Sequence, residues 1–154
     1  MNLRDRLKQC NLEGQKTEER FKELMDAKGK WCLPSTKEQN IHDHIDFWIG
    51  EVGVDVKGNR HLECCWLELK NVTGKDGWLK GKADYIVMDI IELKSFIFFL
   101  RTELLDYCQN ITETTNDKQE FNKFYTREGR KDLLVKVRYD DIKHLKKGVL
   151  NYEH

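Results

Sequence analysis

The sequence predicts a mixed α/β domain, one central mixed β-sheet flanked by helices. Three observations predict it. Segments 52–57, 61–71, 83–90 and 133–137 are apolar runs or alternate apolar and polar residues with a period of two. Segments 17–28 and 92–107 carry apolar residues at helical spacing. The two kinds of segment are interspersed along the chain, the pattern of a sheet packed against helices.

The elements are read in order. Residues 17–28 form a helix, with Thr17 as N-cap, Glu18 and Glu19 favouring its positive start, and Phe21, Leu24 and Met25 as the apolar stripe. Gly29 is its stop signal. Residues 30–33 form a short strand ended by Pro34, and residues 41–49 a second strand. Gly50 lies near the turn into the third, where Val52, Val54 and Val56 alternate with Gly53, Asp55 and Lys57. In the strand at 61–71, Cys65, Leu67 and Leu69 share one face, and Trp66, Glu68 and Lys70 the other. Residues 73–81 are a loop with Gly74, Gly77 and Gly81, before the apolar strand 83–90. Residues 92–107 fit one long helix through Phe96, Phe99, Leu100 and Leu104. A polar loop at 109–122, a strand at 133–137 and a short terminal helix at 139–145 complete a single domain, 1–154, in which 1–13 is an N-terminal extension.

A chain of 154 residues with 39% hydrophobic side chains is long enough for one core. Its 27 basic and 27 acidic residues cancel, which argues against a generally basic coat protein and an acidic tail. One Pro and ten Gly exclude collagen-like and Pro-rich linker classes. No apolar run approaches ~18 residues, so no membrane span is expected. The N-terminal residues lack the apolar stretch of a secretory signal. The expected location is cytoplasmic, with no membrane partner. The five cysteines form no C-x-x-C pair, and reduced buried thiols are expected.

Charge is unevenly spread. Residues 123–147 hold nine basic residues against four acids, and 70–82 hold four lysines against one aspartate. Two basic stretches in a neutral protein point to a directed anionic contact.

The informative charges lie where charge is disfavoured. Asp46 sits among strand-forming apolar residues, where Asp is depleted. Asp55 and Lys57 share one strand face, about 7 Å apart. If the two strands are adjacent, Asp46 approaches that pair. Glu18 lies three residues before Phe21 and seven before Met25, on their face of the helix. Converging carboxylates with no Cys or His nearby make a hard oxygen site, suited to Mg²⁺ or Mn²⁺. The bland alternative for Asp55 and Lys57 is a salt bridge on an edge strand.

At these residues the sequence resembles the PD-(D/E)XK nuclease superfamily with the restriction-endonuclease-like fold, above all small phage-type nucleases and Holliday-junction resolvases. The order runs from Glu18, through 29–32, to Ile45-Asp46-Phe47 and Val54-Asp55-Val56-Lys57. The resemblance implies that Glu18, Asp46 and Asp55 are metal ligands and Lys57 the catalytic lysine. Ile45 stands where the family's proline is expected, and Asp55 where Glu is commoner. A second register, with Asp55 as first ligand and Glu68-x-Lys70 as the lysine motif, stays open; in the first register Glu68 and Lys70 are auxiliary.

The resemblance implies Mg²⁺-dependent hydrolysis of DNA, in a bacterial or infected host cell, by a chain for which a homodimer is one allowed assembly. Lys75, Lys80, Lys82, Arg127 and Arg130 are the expected phosphate contacts. Trp78 is expected as a core anchor, with stacking on an exposed base as the sharper alternative. The rival function is a catalytically inactive DNA- or protein-binding module on the same scaffold.

Overall fold

A computed structural model describes residues 2–152, and the side chains of all of these except Leu3, Arg6, Leu7, Cys10 and Asn11. The elements are α1 (Leu3–Ala27), β1 (Cys32–Pro34), α2 (Lys37–His42), β2 (Phe47–Ile49), β3 (Val52–Arg60), β4 (Cys65–Lys70), β5 (Tyr85–Ile90), β6 (Ser95–Leu100), α3 (Arg101–Gln109), β7 (Thr114–Thr115), β8 (Phe124–Tyr125), β9 (Leu133–Val137), α4 (Tyr139–Ile142) and β10 (Lys146–Asn151).

The mixed α/β class is as expected, but the strands form two sheets instead of one. The larger has the order β1-β2-β3-β5-β6-β10, and the smaller β4-β9-β8-β7. In the larger sheet β3 and β5 are parallel and every other pairing is antiparallel. Parallel neighbours need a crossover. Here the crossover carries β4, which pairs with β9 outside the main sheet. The alternation read in β4 holds: Cys65, Leu67 and Leu69 are buried.

Each face of the main sheet has its own core. One face packs Ile86, Met88, Ile90, Ile97 and Phe99 against Leu67, Leu79, Leu104 and Val135. The other packs Val54, Val56, Val87 and Phe96 against Phe21 and Met25 of α1. Phe21 lies between Phe47, Phe96 and Phe98, with ring centroids 5.4–6.0 Å away.

Four expectations are corrected. Helix α1 starts far upstream of Thr17, with Asn2 as N-cap, so the extension at 1–13 continues the helix through residues 3–13. Thr17 is buried mid-helix. Residues 41–49 are not one strand: Thr36 and Gln39 form a reciprocal capping box that starts α2, leaving only Phe47–Ile49 extended. The helix expected over 92–107 is a hairpin strand followed by a helix. Lys94, at φ 48°, turns β5 into β6. Ile97 and Phe99 then fill one core and Phe96 and Phe98 the other. A strand buried on both faces has no polar alternation to separate it from a buried helix. Lastly, residues 139–145 are helical as expected but not terminal, because they lead into β10, which pairs with β6.

Pro34 belongs to β1 instead of ending the strand before it, and β1 is an edge strand, where a missing N–H is tolerated. Cys32, Cys64, Cys65 and Cys108 are free thiols; the side chain of Cys10 lies outside the description. Among the described residues no helix is long and apolar enough to cross a membrane.

Candidate active site

The site lies where β2 begins beside β3. The last backbone contact is the Asp46 N–H to the Val54 carbonyl, 2.8 Å. The Asp46 side chain then serves the ladder: Oδ2 accepts from the Val56 N–H at 2.8 Å, and Oδ1 from Asn40 Nδ2 at 2.6 Å. An aspartate is tolerated here because its carboxylate satisfies a strand N–H that the departing chain leaves open.

Asp55 is only 2% exposed. Its strand runs between β2 and β5, so Asp55 and Lys57 are not an edge-strand pair. Lys57 Nζ lies 3.1 Å from Asp55 Oδ1. The other oxygen, Oδ2, is buried without a hydrogen-bond partner among the described residues. The Lys57 ammonium also lies 5.0 Å from the centre of the Trp78 ring. Trp78 is 6% exposed, so it is a core anchor and not a base-stacking surface.

Glu18 comes from α1. A Cβ on Gly58 would lie 2.8 Å from Thr17 Oγ1, so only glycine lets the helix approach β3 this closely. The neighbouring Glu18 thereby comes close enough to feel the charges of Asp46, Asp55 and Lys57. Burial first, and then the charge of Asp46, pushes the Glu18 carboxyl up to about 8. Burial likewise pushes Asp55 up to about 7, opposed by Lys57 and assisted by Asp46. The carboxyls hold protons because their negative charges converge in a partly dry site.

Among the described residues no group of three or more His, Cys, Asp or Glu side chains is already disposed to hold a metal ion. The chemistry of the cluster nevertheless fits one. The donors are all carboxylate oxygens, one of them an orphaned buried oxygen of Asp55. The mutual repulsion that raises Glu18 and Asp55 is the kind that a divalent cation would relieve.

The other expected residues lie outside the carboxylate cluster, although the charge of Glu68, like that of Asp55, reaches Arg60. Glu68 and Lys70 lie on β4 in the second sheet. Glu68 packs against Gly77, where a Cβ would lie 2.6 Å from Glu68 Cγ, and Lys70 is exposed. Lys75, Lys80 and Arg130 are exposed. Lys82 lies 3.6 Å from Asp43, and Arg127 is hydrogen-bonded to buried Asp132. Sequence reasoning missed Asn40, Gly58 and Arg60. The capping box Thr36-x-x-Gln39 signals the helix that carries Asn40, but nothing local marks the close approach at Gly58.

Comparison of the chain with protein-family models, with curated proteins and with solved structures finds no match.

Proposed function

We propose that the chain is a Mg²⁺- or Mn²⁺-dependent deoxyribonuclease of the PD-(D/E)XK type with a restriction-endonuclease-like core, an endonuclease of phage or bacterial DNA processing. The observation that carries this reading is the orphaned oxygen of Asp55, buried among two further carboxyls and beside an ammonium. The order of elements supports it: a helix bearing Glu18, an edge strand, a strand entered at Asp46, and a central strand with Asp55 and Lys57.

Glu18, Asp46 and Asp55 are the residues that would hold the cation. Such an ion supplies Lewis-acid polarisation of a phosphate and acidifies bound water. The Lys57 ammonium would donate hydrogen bonds to a non-bridging phosphate oxygen and so offset charge developing there. Asp55 Oδ1 and the Trp78 ring fix where that ammonium points. Water would attack phosphorus in line with the departing 3′ oxygen, losing a proton to solvent while the 3′ oxygen takes one from solvent, which leaves a 5′-phosphate and a 3′-hydroxyl. Exposed Lys75, Lys80 and Arg130 are the phosphate contacts proposed outside the cleavage point.

The test is a cleavage assay on linear, nicked, flapped and four-way-junction DNA with Mg²⁺ or Mn²⁺. Cleavage by the wild type and none by Asp55→Asn is expected. Intact DNA with the wild type on every substrate overturns the proposal.

A further inference from the structure

Among the described residues no acid forms an ion pair with Arg60. Strand β3 reaches it through an irregularity: Lys57 pairs with Met88 and Arg60 with Ile90, so three steps on β3 match two on β5. Asn59, at φ 52°, takes up the extra residue. In a regular strand, alternation would have put Asp55, Lys57 and residue 59 on one face. The bulge substitutes Arg60 for residue 59. Met88 and Ile90, the register partners of Lys57 and Arg60, belong to the same core face.

Trp78 is the common surface for both cations. The Lys57 ammonium lies 5.0 Å and the Arg60 guanidinium 6.0 Å from its ring centre. Arg60 is half-buried, and burial works against its charge. The charges of Asp55 and Glu68 act on it, but among the described residues neither carboxylate forms an ion pair with it. Among the described residues its one hydrogen bond is from Nη1 to the Gly58 carbonyl, 2.8 Å, and Nε is buried with no partner. A guanidinium offers five donors in a planar fork that matches phosphate oxygens. Arg127 shows the contrast, since a buried aspartate answers its charge.

We infer that Arg60 is a phosphate-binding residue of the cleavage site, its guanidinium gripping a non-bridging oxygen of the DNA backbone beside Lys57. The inference deepens the nuclease reading and rests on it for the identity of the anion. The bulge at Asn59 is then functional, because it brings a second cation onto the face of the carboxylates. Trp78 orients both cations through their stems and faces.

The experiment measures equilibrium binding of a short duplex DNA, without divalent cation, across a salt series. Wild type, Arg60→Met and Arg60→Lys are compared. Methionine keeps an apolar stem against Trp78 and removes the charge. Melting curves establish that each variant is folded. Arg60→Met is expected to weaken binding about tenfold or more at low salt. It should also flatten log affinity against log salt by about one unit, the signature of one lost phosphate contact. Arg60→Lys should restore the slope and recover only part of the cleavage rate, because an ammonium lacks the planar fork.

An unchanged affinity and slope in a folded Arg60→Met variant overturns the phosphate contact. If that variant does not fold, the decision falls to Arg60→Lys: wild-type cleavage and affinity there mean that a positive charge suffices and overturn the fork. The nuclease reading fails separately. Wild-type protein that binds DNA but never cleaves it in Mg²⁺ or Mn²⁺ overturns that reading, whereas a slope change at Arg60 then still supports a phosphate contact.

Discussion

At the residue scale, Asp55 has the most specific consequence. A cation that binds the folded carboxylates but not the unfolded chain stabilises the fold by mass action. Millimolar Mg²⁺ or Mn²⁺ is therefore expected to raise the melting temperature of the wild type, and Asp55→Asn to abolish the rise. A wild-type melting curve indifferent to saturating metal would refute the ligand assignment. The same carboxyls set a pH dependence. Unfolded, Glu18 and Asp55 ionise near their ordinary values of 4.5 and 3.8; folded, they hold protons up to about 8 and 7. The folded state thus binds more protons between those limits, and this contribution to stability, complete below about pH 4, is lost as pH rises through 7 to 8. Without metal, the melting temperature should fall from about pH 5 to pH 8, and less steeply in Asp55→Asn; equal slopes in the two proteins would contradict the coupling. For the lysine, Lys57→Ala should end cleavage while DNA binding persists, and Lys70→Ala, exposed on the second sheet, should lower activity only modestly. The reverse pattern would restore the second register.

At the element scale, the placement of α1 decides the site. Thr17, Phe21 and Met25 bury one stripe of the helix, and Gly58 admits it to β3. Gly58→Ala forces a methyl group against Thr17, at a cost of about 1–3 kcal/mol of overpacking. Displacing the helix also displaces Glu18, so the variant should lose metal-dependent stabilisation beyond its general loss of stability. Full retention of the metal effect would mean that Glu18 is no ligand. Two residues beyond Glu18, α1 is also held by buried Asp89, whose two oxygens meet Arg20 at 3.3 Å and Tyr152 at 2.9 Å. Asp89→Ala frees both partners and should cost about 1–3 kcal/mol, measured by denaturant unfolding, with the metal effect intact. A neutral outcome there would show that apolar packing alone fixes the helix.

At the scale of the whole molecule, folding redistributes the charge read along the chain. The basic stretch 123–147 looks like one pole of a dipole, yet acids from other segments answer much of it. Arg138 pairs with Glu63, Lys147 with Glu103, and Lys123 with Glu113 and Glu120. Within the stretch, Arg127 pairs with Asp132 and Lys143 with Asp140. Arg130, Lys131, Lys136 and Lys146 have no carboxylate partner among the described residues. Arg127 and Arg130 therefore separate. Arg130→Ala should flatten the salt dependence of DNA binding by about one unit and spare folding. Arg127→Ala leaves Asp132 buried and unpaired, and should cost about 1–3 kcal/mol of stability. Two variants with the same salt slope and the same melting temperature would refute that division.

The sequence by itself determined the mixed α/β class and the alternation of β3 and β4, and it singled out Glu18, Asp46, Asp55 and Lys57 as candidates. Each is written in local spacing: a period of two, a helical stripe, or a charge inside an apolar run. The sequence could not separate a strand buried on both faces from a helix, which is why 95–100 misled. Only the tertiary structure decided that the strands form two sheets, that β4 leaves the main one, and that α1 lies against Gly58. These depend on contacts between residues far apart in the chain. The bulge at Asn59 is the sharpest case, because a single left-handed residue inverts the alternation and moves Arg60 to the face of Lys57. Local preference makes asparagine compatible with that conformation, but it is the pairing with β5 that fixes where the extra residue goes.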